Sequence, residues 1–546
     1  MRCESEYPPL AGVDPWHIFY ANPNMSTRKN EGTVSSGENI SYWIDSVKPI
    51  AYSPLKQDKK TDVLIVGGGL AGLSTAYCLL KAGKKIILVE DGFIGSGETG
   101  RTTAHLTSAL DDRYFEIENV FGQDGSRIAA ESHTAAIDKI ESITRDENID
   151  CEFERLDGFL FLHPSDKEEN LKKEFAATQK AGLKTEWLDH SRNISAYNGP
   201  CVKYPRQGQF HIMKYMKGLA DAITKMGGEI FTETRAEDIS KKGSRCNGHT
   251  INADHIVVAT NSPVNDMVTM HTKQSPFRTY VIGAKIPKGQ LPHSLWWDTG
   301  NYESKWFTAP YHYVRVQPLD NEYELLIAGG EDHKTGQADD EGINEEDRYD
   351  ALEIWTKKHF PAITEIAYRW SGQVLEPLDY MGFIGKNPGD ENIYIVTGDS
   401  GNGMTHTTIA GMLITDLIHG KHNKWASLYS PKRIPVKLPG RFLSESLNMA
   451  MQYGDFIKKG DIEEANQLAN DEGAILSKGF KKIALYRDTT GTLHSFTAVC
   501  PHLGCVVQWN GDEKTFDCPC HGSRFSKEGV VLNGPAISDL KRIKIS

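Results

Sequence analysis

The sequence predicts an α/β domain followed by a small all-β domain. Early in the chain, Asp62–Glu90 runs as apolar strand, glycine-rich turn, apolar helix and second strand ending in an acid. After Gly473, short strand-like runs alternate with glycine turns to the end of the chain. Inside that last stretch, "CPHLGCVVQWNGDEKTFDCPCH" packs four cysteines and two histidines between Cys500 and His521.

The chain has 546 residues, enough for two or three domains with large cores. Its net charge of −12 does not suggest a nucleic-acid partner or an anionic membrane surface. Nine cysteines are too few for a disulfide scaffold, and Cys3, Cys78, Cys151, Cys201 and Cys246 show no paired spacing. A reducing, cytoplasmic location is therefore expected. No basic region followed by an apolar run marks a secretory signal at the N-terminus. Val63–Leu80 is uncharged and long enough to raise a membrane question, but its three consecutive glycines favour a turn, so no membrane anchor is expected. Residues 1–40, rich in Pro, Asn, Ser and Gly, read as a loose extension, and Met25 is an alternative start. Residues 41–420 read as the first domain. Residues 421–455 read as a linker, from "SPKRIPVKLPGRF", leading into one or two helices, and residues 456–546 as the second domain.

Each element of the first motif has a physical purpose. Val63–Val66 is a buried strand, and Leu70–Lys81 has the pattern of a helix. Gly67 permits the tight turn between them. Gly69 lets the backbone approach a pyrophosphate, and Gly72 lets helix and strand pack closely. Leu70 and Ala71 open the helix, whose N-terminus attracts phosphate charge. The second strand, Lys85–Glu90, ends in Glu90, which can accept from an adenosine ribose. The bland alternative is the same fold with no nucleotide. A second glycine loop, Gly398-x-x-Gly401-x-Gly403, follows another apolar strand and precedes a helix starting near Met404. Such a terminus can turn backbone N–H groups toward an electron-rich ring, or can be a plain strand–helix turn.

The C-terminal ligands come in two short loops, Cys500-Pro501-His502 and Cys518-Pro519-Cys520-His521, with fifteen residues between His502 and Cys518. Thiolate and imidazole together suit zinc or an iron–sulfur cluster. Each loop supplies one Cys, one His, a Gly and a spare Cys. That arrangement resembles the cytochrome bc-type Rieske [2Fe-2S] domain, in which two cysteines hold one iron and two histidines the other. The resemblance implies Cys500, His502, Cys518 and His521 as cluster ligands and a disulfide between Cys505 and Cys520. It also implies a hydroxyl donor to the cluster at Ser523. Where high-potential members carry a tyrosine, this chain has Phe525, which implies a lower potential.

"SGETGRTTAHLTS", "HIVVATNSP", "EPLDYMGFIG" and "IYIVTGDSGNGMTHTTIAGMLITDLI" resemble segments of the D-amino-acid oxidase superfamily, which includes glycine, sarcosine and γ-glutamylputrescine oxidases. The resemblance spans about Ser41–Gly420. It implies a Rossmann-like FAD-binding domain built from separated segments, with an inserted antiparallel-sheet substrate domain at about 116–204 and 275–368. It also implies flavin contacts at Arg101, Thr102, Gly398, Gly401, Gly403 and Met404. The family's G-R-x-G-G is G-R-T-T-A here. Tyr311, Tyr313 and Arg315 alternate on one strand face and are candidates for holding an amino-acid-like substrate, with Arg315 on a carboxylate; a polar outer sheet face is the alternative. Arg278 and Tyr280 carry the same two readings, and His105 is either a flavin attachment point or an ordinary loop residue.

Together the resemblances imply a flavoprotein that oxidises a small amine or amino acid by hydride transfer and hands electrons singly to its own cluster. The alternative is an electron-transfer or redox-sensing protein without an organic substrate. A reductase using pyridine nucleotide would carry a second G-x-G-x-x-G unit, and none is found. The sequence names neither the substrate nor the terminal electron acceptor. The purified protein is expected to hold two irons and two acid-labile sulfides per chain by elemental and colorimetric assay; one zinc and no labile sulfide would contradict the cluster.

Overall fold

Strand Lys59–Val66 is central because its run VLIV is apolar on both faces, and Val63, Leu64 and Ile65 are fully buried. The computed structural model describes residues 36–265, 269–303, 310–337, 344–434, 438, 447–448, 451–456, 460–479 and 481–545. The first sheet runs Phe383–Lys386, Ile393–Thr397, His249–Val258, Lys59–Val66, Ile86–Val89, Glu229–Phe231. These strands are parallel except for the edge strand Phe383–Lys386, and an antiparallel pair, Ala236–Ser240 and Gly243–Cys246, adds to His249–Val258. Helix Leu70–Lys81 crosses helix Gly403–Ile418 closely enough that a Cβ at Gly411 would lie 2.7 Å from the Ser74 carbonyl.

The second sheet takes the intervening chain, in the order Glu365–Pro377, Gln274–Pro287, Tyr323–Lys334, Tyr313–Pro318, Leu295–Asp298, Glu154–Phe161, Cys201–Gln209, His105–Leu106. It is antiparallel except where Leu295–Asp298 lies parallel to Glu154–Phe161. That pair joins two segments far apart in sequence, and no hairpin dictates its direction.

The C-terminal unit has a three-stranded sheet, Glu472–Lys478, Lys481–Arg487 and Leu493–Thr497, and a four-stranded sheet, Gln508–Asn510, Thr515–Asp517, Arg524–Ser526 and Val531–Asn533. Phe496, Phe516 and Phe525 pack with Cys500, Cys518 and the Cys505–Cys520 disulfide into one core.

Three expectations change. Of the loose extension, residues 1–35 lie outside the described residues, but Ser36–Asn39 is tied down: Glu38 N–H donates to the Glu513 carbonyl at 3.0 Å and Asn39 Nδ2 to Asp512 Oδ2 at 2.8 Å. Of the expected linker, the first part is domain core. Trp425, Leu428 and Tyr429 are buried in it, and Arg433 pairs with Asp379 at 2.8 Å over the Phe383 ring. Residues 435–437, 439–446 and 449–450 of that linker lie outside the described residues. The helices expected after it are, where described, helical residues at 447–448 and 451–452 and two 3-10 turns, Tyr453–Phe456 and Ala465–Gln467.

The two units meet around one carboxylate. Glu513 is 1% exposed. Its Oε1 accepts from Arg101 Nη1 at 2.8 Å and Ser371 Oγ at 2.5 Å, and lies 3.2 Å from Arg278 Nη2. Its Oε2 accepts from Asn39 N–H at 3.1 Å. Burial opposes ionisation, but the guanidinium groups of Arg101, Arg278 and Arg524 overcome it and hold the carboxyl down to about 2. Removing one partner of a buried ion pair costs about 3–5 kcal/mol, because the other charge stays buried. Glu513→Ala is therefore expected to lower the unfolding free energy by about 3–5 kcal/mol, read as a fall in the urea midpoint. Because the folded-state value is depressed, the stabilisation is present above pH 4.5 and lost as pH falls toward 2. Equal midpoints for wild type and Glu513→Ala at pH 7 would contradict this account.

Candidate active site and metal centre

A cavity of about 920 Å³ opens along the C-terminal ends of the first sheet and under the second. Gly67, Gly69, Leu70, Ala71 and Glu90 line it, as do Thr102, Gly401, Gly403 and Met404. Gly72 and Gly398 are behind this wall. A Cβ at Gly72 would lie 1.9 Å from the Gly67 carbonyl. Gly67, at φ +111°, would press a Cβ to 2.4 Å from the Ala259 carbonyl. At Gly69 only Thr99 Oγ1, 3.1 Å away, would meet a Cβ, so the backbone there faces open space. The helix that Gly69 opens has no capping side chain at Gly69 itself. Glu90 accepts from Gly68 N–H at 2.5 Å and Gly92 N–H at 2.9 Å; burial, then Asp91, push its carboxyl up to about 8. A long open groove with a bare-glycine floor and an acid at the second strand's end fits FAD.

Farther along, Tyr311, Tyr313, His105 and Trp297 form a chain of ring contacts with centroids 5.3, 5.7 and 5.9 Å apart. Both His105 ring nitrogens are engaged, by Thr103 Oγ1 at 3.0 Å and the Val314 carbonyl at 3.3 Å. Arg315 is not among the groups lining this cavity. It is fully buried, donates to the Thr103, Ala104 and Phe210 carbonyls, and lies over the Trp43 ring. Arg101 borders the cavity but spends its guanidinium on Glu513 and the Ser371, Gly37 and Asn39 carbonyls. Arg278 joins Glu513, and Tyr280 packs against Tyr349 and His333. Alternation along one strand face could not tell these destinations apart.

The metal-ligating loops repeat one hydrogen-bond pattern. Gly504 N–H donates to the Cys500 carbonyl and Cys500 N–H to the Cys505 carbonyl; Gly522 N–H donates to the Cys518 carbonyl and Cys518 N–H to the Ser523 carbonyl. Gly504 and Gly522 both take positive φ, +84° and +76°. Each turn thus presents its cysteine and histidine to the same side. Cys505 and Cys520 form a disulfide, with Cα atoms 6.5 Å apart, which leaves Cys500 and Cys518, with His502 and His521, as the candidate ligands. The His502 and His521 rings lie 4.9 Å apart, and among the described residues neither His521 nitrogen has a hydrogen-bond partner. Cys518 and Cys500 share a hydrogen bond that holds the Cys500 thiol below its usual range, while burial followed by His502 and His271 lowers His521 to about 3. Two soft thiols and two imidazoles fit a cluster with mixed ligation.

Residues 62–417 match the FAD dependent oxidoreductase family, and residues 459–544 match the Rieske [2Fe-2S] domain. The chain belongs to the FAD dependent oxidoreductase family. It carries its Rieske domain in the same polypeptide. YhfW of Bacillus subtilis, named for a Rieske 2Fe-2S iron-sulfur centre, is 33% identical over 515 residues, 92% of this chain and 97% of that protein. Gamma-glutamylputrescine oxidoreductase of Escherichia coli is 28% identical over 70% of this chain and 89% of its own length. The crystal structure of glycine oxidase from Geobacillus kaustophilus superposes with a TM-score of 0.57 at 17% identity, over 69% of this chain and 99% of that one. The cofactors of this oxidoreductase are accordingly FAD and a [2Fe-2S] cluster. Among the described residues no helix is long and apolar enough to cross a membrane.

No sequence motif marks the residues between the two centres. Gln373 lines the FAD cavity and donates to the Gly522 carbonyl at 3.1 Å, one residue from His521. Gln337 donates to the Pro519 carbonyl at 3.3 Å. The His271 ring lies 5.0 Å from His502 and 6.1 Å from His521. None belongs to a recognisable motif; only tertiary contact identifies them. In the glycine floor, Gly69→Val is expected to leave purified protein with less than about a tenth of wild-type FAD but full iron and sulfide, a bulky side chain in the pyrophosphate path costing more than about 1.4 kcal/mol of binding. Unchanged flavin absorbance would contradict that placement.

Proposed function

We propose that this oxidoreductase oxidises a small amine and passes the electrons one at a time to its own Rieske cluster. In the overall reaction a C–H hydrogen leaves the amine with its electron pair, an N–H proton leaves to solvent, and the carbon–nitrogen bond becomes double. Water then releases the carbonyl product and the nitrogen. When bound, FAD supplies the hydride acceptor and the cluster a one-electron acceptor beside it, with an external acceptor of one-electron chemistry completing turnover.

Gln373 carries the reading of an internal relay: one side chain borders the FAD cavity and touches a ligand loop of the cluster. The preference for an amine over an amino acid rests on charge. Arg315, the candidate for a substrate carboxylate, is consumed by backbone carbonyls. Arg245 is paired with Glu237 and Asp238, and Arg235 reaches the Ile537 carbonyl. Beside Tyr311 and Tyr313 the cavity instead offers Asp111 and Asp332. Burial pushes each of these carboxyls up to about 7, so they ionise across the neutral range and attract an ammonium group above it. Aromatic walls complement such a cation.

Anaerobic stopped-flow tests both parts. Primary and secondary amines should bleach the flavin, and the corresponding α-amino acids should not. Half-saturating amine concentration should fall as pH rises from 6 to 8, and should rise at least about tenfold in Asp111→Asn, since a charge-assisted hydrogen bond is worth about 1.5–3 kcal/mol. Cluster bleaching should follow as a first-order phase unaffected by protein dilution. Preferential reduction by amino acids would overturn the substrate class, and cluster reduction second order in protein would overturn the relay.

A further inference from the structure

The FAD cavity is not closed by the oxidoreductase domain alone. Val531–Gly534 and Ala536–Asp539 of the Rieske domain line it together with Gly67, Gly69 and Glu90. This wall is held from both sides. Asn533 Nδ2 donates to Glu98 Oε1 at 2.7 Å, and Glu98 Oε2 accepts from Gln373 N–H at 2.7 Å. Arg235 Nη2 donates to the Ile537 carbonyl at 3.0 Å. On the cluster side, Ala536 N–H donates to Ser523 Oγ at 3.0 Å. Glu513 seats the whole domain against Arg101 and Arg278.

We propose that the Rieske segment Val531–Asp539 is part of the FAD-binding site, so that FAD retention and docking of the cluster domain are thermodynamically coupled. A ligand held by two surfaces favours the state in which they are joined, and by linkage the joined state favours the ligand by the same factor. The segment closes a groove whose floor is bare backbone, so undocking it exposes the dinucleotide to solvent. The Rieske domain thereby has a binding role separate from carrying electrons. That role does not depend on which substrate is oxidised or on whether electrons pass between the centres.

The test uses the full chain loaded with both cofactors. FAD release after dilution is followed by the gain in flavin fluorescence, for wild type, Asn533→Ala and Glu513→Gln. Each variant is expected to release FAD at least tenfold faster, with its iron, sulfide and cluster EPR signal unchanged. In the reciprocal measurement, hydrogen exchange of amides within 531–539 should be slower in wild type with FAD than without it, and the difference should shrink in Glu513→Gln. A role confined to holding the domains together would not make that exchange depend on FAD. Should Glu513→Gln fail to fold, Asn533→Ala and the wild-type exchange experiment decide. FAD release within twofold of wild type from Asn533→Ala, or exchange in 531–539 indifferent to FAD, overturns the proposal.

Discussion

A carboxylate with no access to water holds the two redox domains together. Glu513 would be costly to bury alone, since a charge loses several kcal/mol of solvation in the interior. It is tolerated because Arg101 and Arg278 approach from the other domain and Ser371 and Asn39 fill its remaining lone pairs. The arrangement is demanding in both directions. Neither domain can withdraw without stranding a charge, and a shift of an ångström or two breaks several contacts at once. Ion pairs of this kind contribute little net stability against an apolar equivalent, but they specify one geometry.

That geometry positions the redox chemistry. The cluster loops face the oxidoreductase domain, where Gln337 and Gln373 satisfy the Pro519 and Gly522 carbonyls and the His271 ring packs against both ligand histidines. His502 and His521 are buried accordingly. A domain on a free tether would sample many orientations; this one is seated, and its effective concentration at the FAD cavity is set by a packed interface. Ser36–Asn39 adds a third strand of contacts across the same seam.

The cavity shows how a residue whose type suits recognition can be claimed by architecture instead. Arg315 is drawn inward by three carbonyl groups and becomes part of the wall behind His105. With its arginines committed elsewhere, the pocket near Tyr311 takes its charge from Asp111 and Asp332. Their burial raises the cost of ionisation, and a cation placed beside them would offset it.

The chain's local patterns sufficed wherever function depends on close sequence neighbours. Gly67, Gly69 and Gly72 must be glycines because backbone atoms crowd two of them and the third faces the groove, and that requirement is written at fixed spacing. The paired cluster loops are legible for the same reason: a cysteine, a histidine and a positive-φ glycine recur within five residues of each other. Glu513, Gln373, Asn533 and the true position of Arg315 were decided only by tertiary structure. Each is an ordinary polar residue whose partner lies a hundred or more residues away, and no local periodicity encodes where such a side chain ends up. Motifs determine which cofactors can bind; long-range packing of buried charges determines how the two centres face one another.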